Sequence, residues 1–166
     1  MPLKNLFFTA LFSLAFFTAF SQDLFPDRCL GQWQGTMHIY FAGQLRDSVP
    51  IRFTVTPIDS ISWTWRTEYL SKKLPMTKDY VLRIKDKQRQ MYVTDEGDGI
   101  ELSDYLFGNK LYSIFETEGI LLTASYELRD GELIFEVTSG KRAENSTTGV
   151  QSHPVSSVQR AVLKRG

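Results

Sequence analysis

Few side chains in this sequence could do covalent or metal chemistry: two histidines, His38 and His153, and a single cysteine, Cys29. Acyl transfer by a serine or cysteine needs a base within hydrogen-bond reach, and no G-x-S-x-G elbow accompanies either histidine. His38 alternates with Gln34, Thr36 and Tyr40, which places it on an outward polar strand face. A zinc site would need His, Cys and carboxylate ligands at defined spacings, and none occurs. The run Asp95-Glu96-Gly97-Asp98-Gly99 has the flavour of a calcium loop. Aligned on an EF-hand, however, it puts Thr94 and Tyr105 where carboxylates are required, so it reads as an acidic hairpin turn. The expectation is a non-enzymatic protein with no catalytic residue and no metal site.

Aromatic residues offer a different chemistry, that of a binding wall. Alternation puts Trp63, Trp65 and Tyr69 on one face of a strand with Ile61 and Thr67, and Tyr80, Leu82 and Ile84 on one face of the next. With Tyr92, Tyr112, Phe115 and Tyr126 they form a candidate surface for a small apolar or amphipathic ligand, apolar in body and carrying hydroxyl handles. Two readings stand side by side: a hollow barrel lined by these rings, or a packed one that works as a protein-interaction or structural module through an outer face or the 140–154 segment. Charge is uneven along the chain: eight Lys/Arg against three acids over 66–89, then five acids and no base over 95–104. These read as solvated strand faces, with a basic rim that selects an anion as the alternative.

The elements that must hold these residues are strands. From Gly31 onward the chain alternates with period two between turn signals, and no stretch of ten or more residues shows helical apolar spacing. Ten strands are predicted, at 32–41, 48–57, 61–70, 79–86, 89–95, 100–107, 110–117, 120–129, 132–139 and 155–164. Gly108-Asn109 and Asp130-Gly131 suit two-residue primed turns, and Glu118-Gly119 and 96–99 suit slightly longer ones, so consecutive strands are antiparallel neighbours. With no helix to cover a face, such a meander removes its edges by closing, and a single all-β, antiparallel up-and-down barrel is the expected fold. Pro50, inside the second strand, marks an edge or bulge. The 140–154 segment reads as a loop leading to the last strand.

The chain has 166 residues, 42% of them hydrophobic, and equal numbers of basic and acidic side chains, 19 of each. That length fits one domain with a real core, and a net charge of zero removes the usual basis for nucleic-acid binding. Lys4 followed by an uncharged apolar run through Phe20, with Ala19-Phe20-Ser21 beyond, reads as a secretory signal peptide over residues 1–21, cleaved after Ser21. Residues 22–166 then form the barrel domain, with no further apolar run long enough to span a bilayer, and a secreted or periplasmic location is expected. Cys29, without an intramolecular partner, reads as a buried small hydrophobe.

Phe25, the Gly31-Gln32-Trp33-Gln34-Gly35 stretch and the late Val158-Gln159-Arg160-Ala161-Val162 resemble the calycins, the lipocalin-like barrels. That resemblance implies that Trp33 closes the barrel base and that Arg160 packs over its indole. Ten strands, one cysteine and no terminal helix are more similar to the fatty-acid-binding-protein and nitrobindin-like branches than to classical lipocalins. The first branch carries a helical lid between its first two strands, for which 42–47 is too short. The second binds haem through a histidine near the last strand, which makes His153 the haem ligand of that alternative; otherwise no cofactor is implied.

Overall fold

The computed structural model describes residues 23–143 and 149–166, so the segment read as a signal peptide lies outside the described residues. A four-residue helix, α1 (Phe25–Arg28), precedes ten strands: β1 (Gly31–Phe41), β2 (Gln44–Val55), β3 (Ser62–Tyr69), β4 (Met76–Asp86), β5 (Met91–Gly97), β6 (Ile100–Phe107), β7 (Lys110–Thr117), β8 (Ile120–Arg129), β9 (Glu132–Lys141) and β10 (Ser157–Arg165). Each strand pairs antiparallel with its sequence neighbours, and β1 pairs with both β2 and β10, so the sheet closes. This is the up-and-down barrel that the turn chemistry predicts.

The tight turns supply the left-handed backbone that a right-twisted hairpin demands. Asp130 and Gly131 stand at φ 53° and 81°, and Glu118 and Gly119 at 51° and 73°. Ala42 and Gly43 do the same at 49° and 77°, so β2 begins at Gln44 rather than 48. A register shift opposite Ile39 and Tyr40 absorbs the extra residue in β2. Pro50 lies where β2 leaves β3: pairing of those strands runs only from Ile51 to Thr54, and the last contact is Leu70 N–H donating to the Pro50 carbonyl. The edge read from that proline is present, and it leaves the first half of β2 paired only to β1.

The hairpins divide the barrel into two ends. Gly31, the β8–β9 turn and the last residues of β10 meet at the base, together with α1. The 42–43 turn, the 70–75 loop, the acidic 98–99 turn and the described ends of the β9–β10 connection ring the mouth. That connection is tied down at its described ends: Ala143 N–H donates to Ser152 O and Ser156 N–H to Ser139 O. A side chain at Gly140 would also collide with the Pro154 carbonyl.

Candidate functional site

What fills the base of the barrel decides where space remains. Pro26 opens α1, and the turn it starts buries Phe25 under the barrel, 6.3 Å from the Trp65 ring. Trp33 is fully enclosed, and its indole N–H donates to the Cys29 carbonyl at 2.7 Å. Trp63 donates to the Asp27 carboxylate at 2.9 Å, and Tyr92 reaches the backbone of Phe25. Cys29 is wholly buried, and burial pushes its thiol up to about 12, so it behaves as the small hydrophobe expected of it.

The cation over Trp33 is Arg165, not Arg160. Its guanidinium stands 4.4 Å from the ring and donates to the carbonyls of Leu30 at 2.6 Å and Arg28 at 2.8 Å. Register explains the correction. Arg165 lies directly across from Trp33, on the parity of the inward Ala161 and Leu163. Arg160 has the opposite parity, faces outward across from His38, and pairs with Glu136 at 2.7 Å. Trp33 does close the base; the resemblance assigned its partner five residues too early.

Above this plug the rings form a continuous stack. Trp65 meets Phe53 edge-on at 4.9 Å and Tyr126 at 5.1 Å, and Tyr126 lies flat on Phe135 at 4.5 Å. Such pairs add about 0.5–1.5 kcal/mol each beyond their burial. Tyr126 and Phe135 are the top of the filled part, and over them opens a cavity of about 90 Å³.

The cavity is lined by both apolar and polar side chains: Leu102, Leu111, Phe115, Leu122 and Val137 from β6 to β9, and Thr67, Lys78, Tyr80, Thr94, Glu96, Asp104 and Ser113 from β3 to β7, the two sets meeting on β6 and β7. Asp104 is 3% exposed and accepts from the Thr94 hydroxyl at 2.8 Å. Burial raises its pKa to about 6 against the opposing hydrogen bonds of Thr94 and Ser113, and the nearby Glu96 carboxylate adds to the rise. Ser113 lies beside this carboxyl, but its buried hydroxyl makes no hydrogen bond of full geometry. Burial also pushes the Tyr80 hydroxyl up, helped by its hydrogen bond to the Glu96 carboxylate. A second, more open chamber of about 280 Å³ adjoins the mouth where β2 parts from β3, lined by Ile39, Val49, Tyr69, Leu74 and Met76. Lys78 lines both spaces.

Of the rings proposed from sequence, Tyr80, Phe115 and Tyr126 line the cavity. Trp65 lies beneath it against Tyr126, and Trp63 and Tyr92 belong to the base. Tyr112 is outside: it is 41% exposed, directly opposite Tyr105 in the ladder and 6.1 Å from Phe107. Its neighbours Leu111 and Ser113 point inward, so alternation excludes Tyr112 and Phe115 from sharing a face. His38 faces outward, bonded to Ser48 at 2.9 Å, and His153 lies on the β9–β10 connection outside the cavity lining. The polar wall was missed, although Leu102-x-Asp104-x-Leu106 carries an acid at an apolar parity and so held a signal. The basic run over 66–89 is mostly outward: Arg66 pairs with Glu68 and Asp79, Arg83 with Asp95 and Glu101, and Arg89 with Asp86. Among the described residues no cluster of His, Cys, Asp and Glu could hold a metal ion.

No protein-family model matches the chain, and no curated protein resembles it in sequence. Solved structures do match its shape. An S-type phycobiliprotein lyase from Guillardia theta superposes with a TM-score of 0.60 over 86% of this chain and 90% of that one, at 10% identity. An asparagine-to-alanine variant of the fluorescent protein UnaG matches with a TM-score of 0.50 over 84% and 97%, at 16% identity. The chain therefore shares its overall barrel fold with these structures, which align over most of their own length.

Proposed function

We propose that this protein is an exported, non-catalytic carrier that takes a small apolar or amphipathic molecule into the mouth half of its barrel. The observation that carries the reading is the cavity above Tyr126: a packed base beneath, and a lining that joins apolar side chains of β6 to β9 to polar ones of β3 to β7. Ligand sites of this kind join apolar surface to a few placed polar groups. At about 90 Å³ the space holds roughly three waters. A ligand that fills it is therefore small, or extends into the wider chamber at the β2–β3 gap. The likeness to a phycobiliprotein lyase and to a fluorescent protein supports the same direction, since both are barrels of this form.

The haem alternative draws no support from the lining, to which His153 does not belong. Export rests on the composition of residues 1–21 and is tested by N-terminal sequencing of the protein recovered from its host: a start at Gln22 supports it, and retention of the leader on the recovered protein counts against it.

Uptake of N-phenylnaphthylamine, a neutral fluorophore that brightens in apolar surroundings, tests the carrier reading directly. The mature chain should enhance its emission, and Ala124→Phe, which fills the cavity from the β8 wall, should abolish the enhancement while the thermal transition persists. No enhancement in the parent, or an equal one in Ala124→Phe, would reject the reading.

A further inference from the structure

Resting on the carrier reading, we propose that the cavity selects an organic amine: a protonated nitrogen received between Asp104 and Glu96, with the apolar body of the ligand laid on Leu102, Phe115 and Leu122.

Charge placement in β4, β5 and β6 is the ground for it. The outward acids of this region, Asp95 and Glu101, are both matched by Arg83. The inward acids are not matched. Asp104 has a neutral hydroxyl, that of Thr94, as its hydrogen-bond donor, and Glu96 has the hydroxyl of Tyr80. Lys78 is the lining cation, and among the described residues it makes no ion pair; its Nζ lies 5.7 Å from the centre of the Tyr80 ring, between the cavity and the outer chamber. The interior thus holds two carboxylates with no cation bonded to either.

A buried carboxylate without a counter-ion is costly, and the groups that meet Asp104, the Thr94 hydroxyl and backbone and the neighbouring Ser113 hydroxyl, bring no positive charge. Ser113 adds a hydroxyl, 6% exposed, beside the same carboxyl and without a full hydrogen bond of its own. An ammonium group brings three donors and the missing positive charge, and forms charge-assisted bonds with such acceptors. A free carboxylate on the same apolar body would bring a third negative charge into a partly water-excluded space, which like-charge repulsion disfavours. The titratable groups that face Asp104 are Glu96 from β5, Lys78 and Tyr80 from β4 and Tyr126 from β8. Tyr80 and Tyr126 are pushed above the ordinary tyrosine range and stay neutral through the pH range of the test.

Calorimetric titration of the mature chain with hexylamine, hexanol and hexanoate tests the assignment, with N-phenylnaphthylamine uptake measured in parallel. At about pH 7.5 hexylamine should bind at least about tenfold tighter than either relative, and the advantage should shrink at about pH 5, where Asp104 retains its proton. Asp104→Asn should remove the amine preference and keep uptake of the neutral fluorophore; Glu96→Gln should weaken the preference and serves as the second variant if the first fails to fold. Hexanoate or hexanol binding as tightly as hexylamine, or a preference that survives both substitutions, overturns the proposal. If the fluorophore also fails to enter the parent, the carrier reading itself has failed; if the fluorophore enters and the amine has no advantage, only the selectivity is wrong.

Discussion

The two halves of one barrel, built from the same ten strands, are put to opposite uses. At the base most inward positions are large: three tryptophans, Phe25 and Phe53 are all enclosed, two of the indoles donate to Cys29 O and Asp27, and the third, that of Trp65, is held by ring contacts. Toward the mouth the inward positions include threonine, serine, alanine and acids among Leu and Phe, and space remains above Tyr126. Filled volume stabilises the first half; missing volume and acids without a cation prepare the second to receive something. Stability and binding are therefore separable here by position along the barrel axis.

The strongest way to break that division is to empty the base. Trp65→Ala removes the ring that joins Phe25, Phe53 and Tyr126, and should cost about 3–5 kcal/mol in a urea titration. A loss well under 1 kcal/mol would mean that the base is not the structural half.

A mouth substitution should act in the opposite sense. The pKa of Asp104 is raised to about 6 from an ordinary 3.8, so the folded chain binds the proton more tightly than the unfolded one. That stabilising contribution is complete below about pH 4 and is lost as pH rises through about 6, a span worth roughly 2–3 kcal/mol. Asp104→Asn should remove this slope and leave the variant more stable than the parent at neutral pH, as urea midpoints between about pH 4 and 7.5 would reveal. A variant less stable at neutral pH would make Asp104 a structural residue and blur the two halves.

The rival cations give a finer contrast. Arg165→Met gives up a cation–π contact and two hydrogen bonds to carbonyls, and should cost about 1–2 kcal/mol. Arg160→Met breaks one exposed ion pair with Glu136, which should cost less than about 0.5 kcal/mol. Equal costs would restore the partner that the sequence resemblance assigned to Trp33. Smallest of all, Tyr112→Ser lies on the outer face and should leave fluorophore uptake unchanged, whereas Phe115→Ser, inward on the same strand, should weaken it measurably.

Strand count, antiparallel order and closure were legible because turns and alternation are local signals; Gly119, Asp130 and Gly131 adopt the positive φ values that their residue types make cheap. The β1–β2 turn was less legible, since Ala42 takes a left-handed conformation that alanine seldom chooses. Site residues were read by type before parity, which admitted Tyr112 and passed over Asp104 and Thr94. The division of the tryptophans was beyond the sequence altogether. Trp63 and Trp65 share one face, and only the position of α1 beneath the barrel decides that Trp63 bonds Asp27 while Trp65 supports Tyr126. Arg165 was hidden for a similar reason: it faces Trp33 only in the register that the closing strand adopts.

The most direct measurement is methyl NMR of the protein titrated with N-phenylnaphthylamine. Binding in the mouth half predicts shifts at Leu102, Leu111, Leu122 and Val137, which line the cavity, and none at Val55, Leu133 or Leu163, which are buried in the base. Shifts confined to the base methyls, or to the outward Ile114 and Val162, would contradict the account.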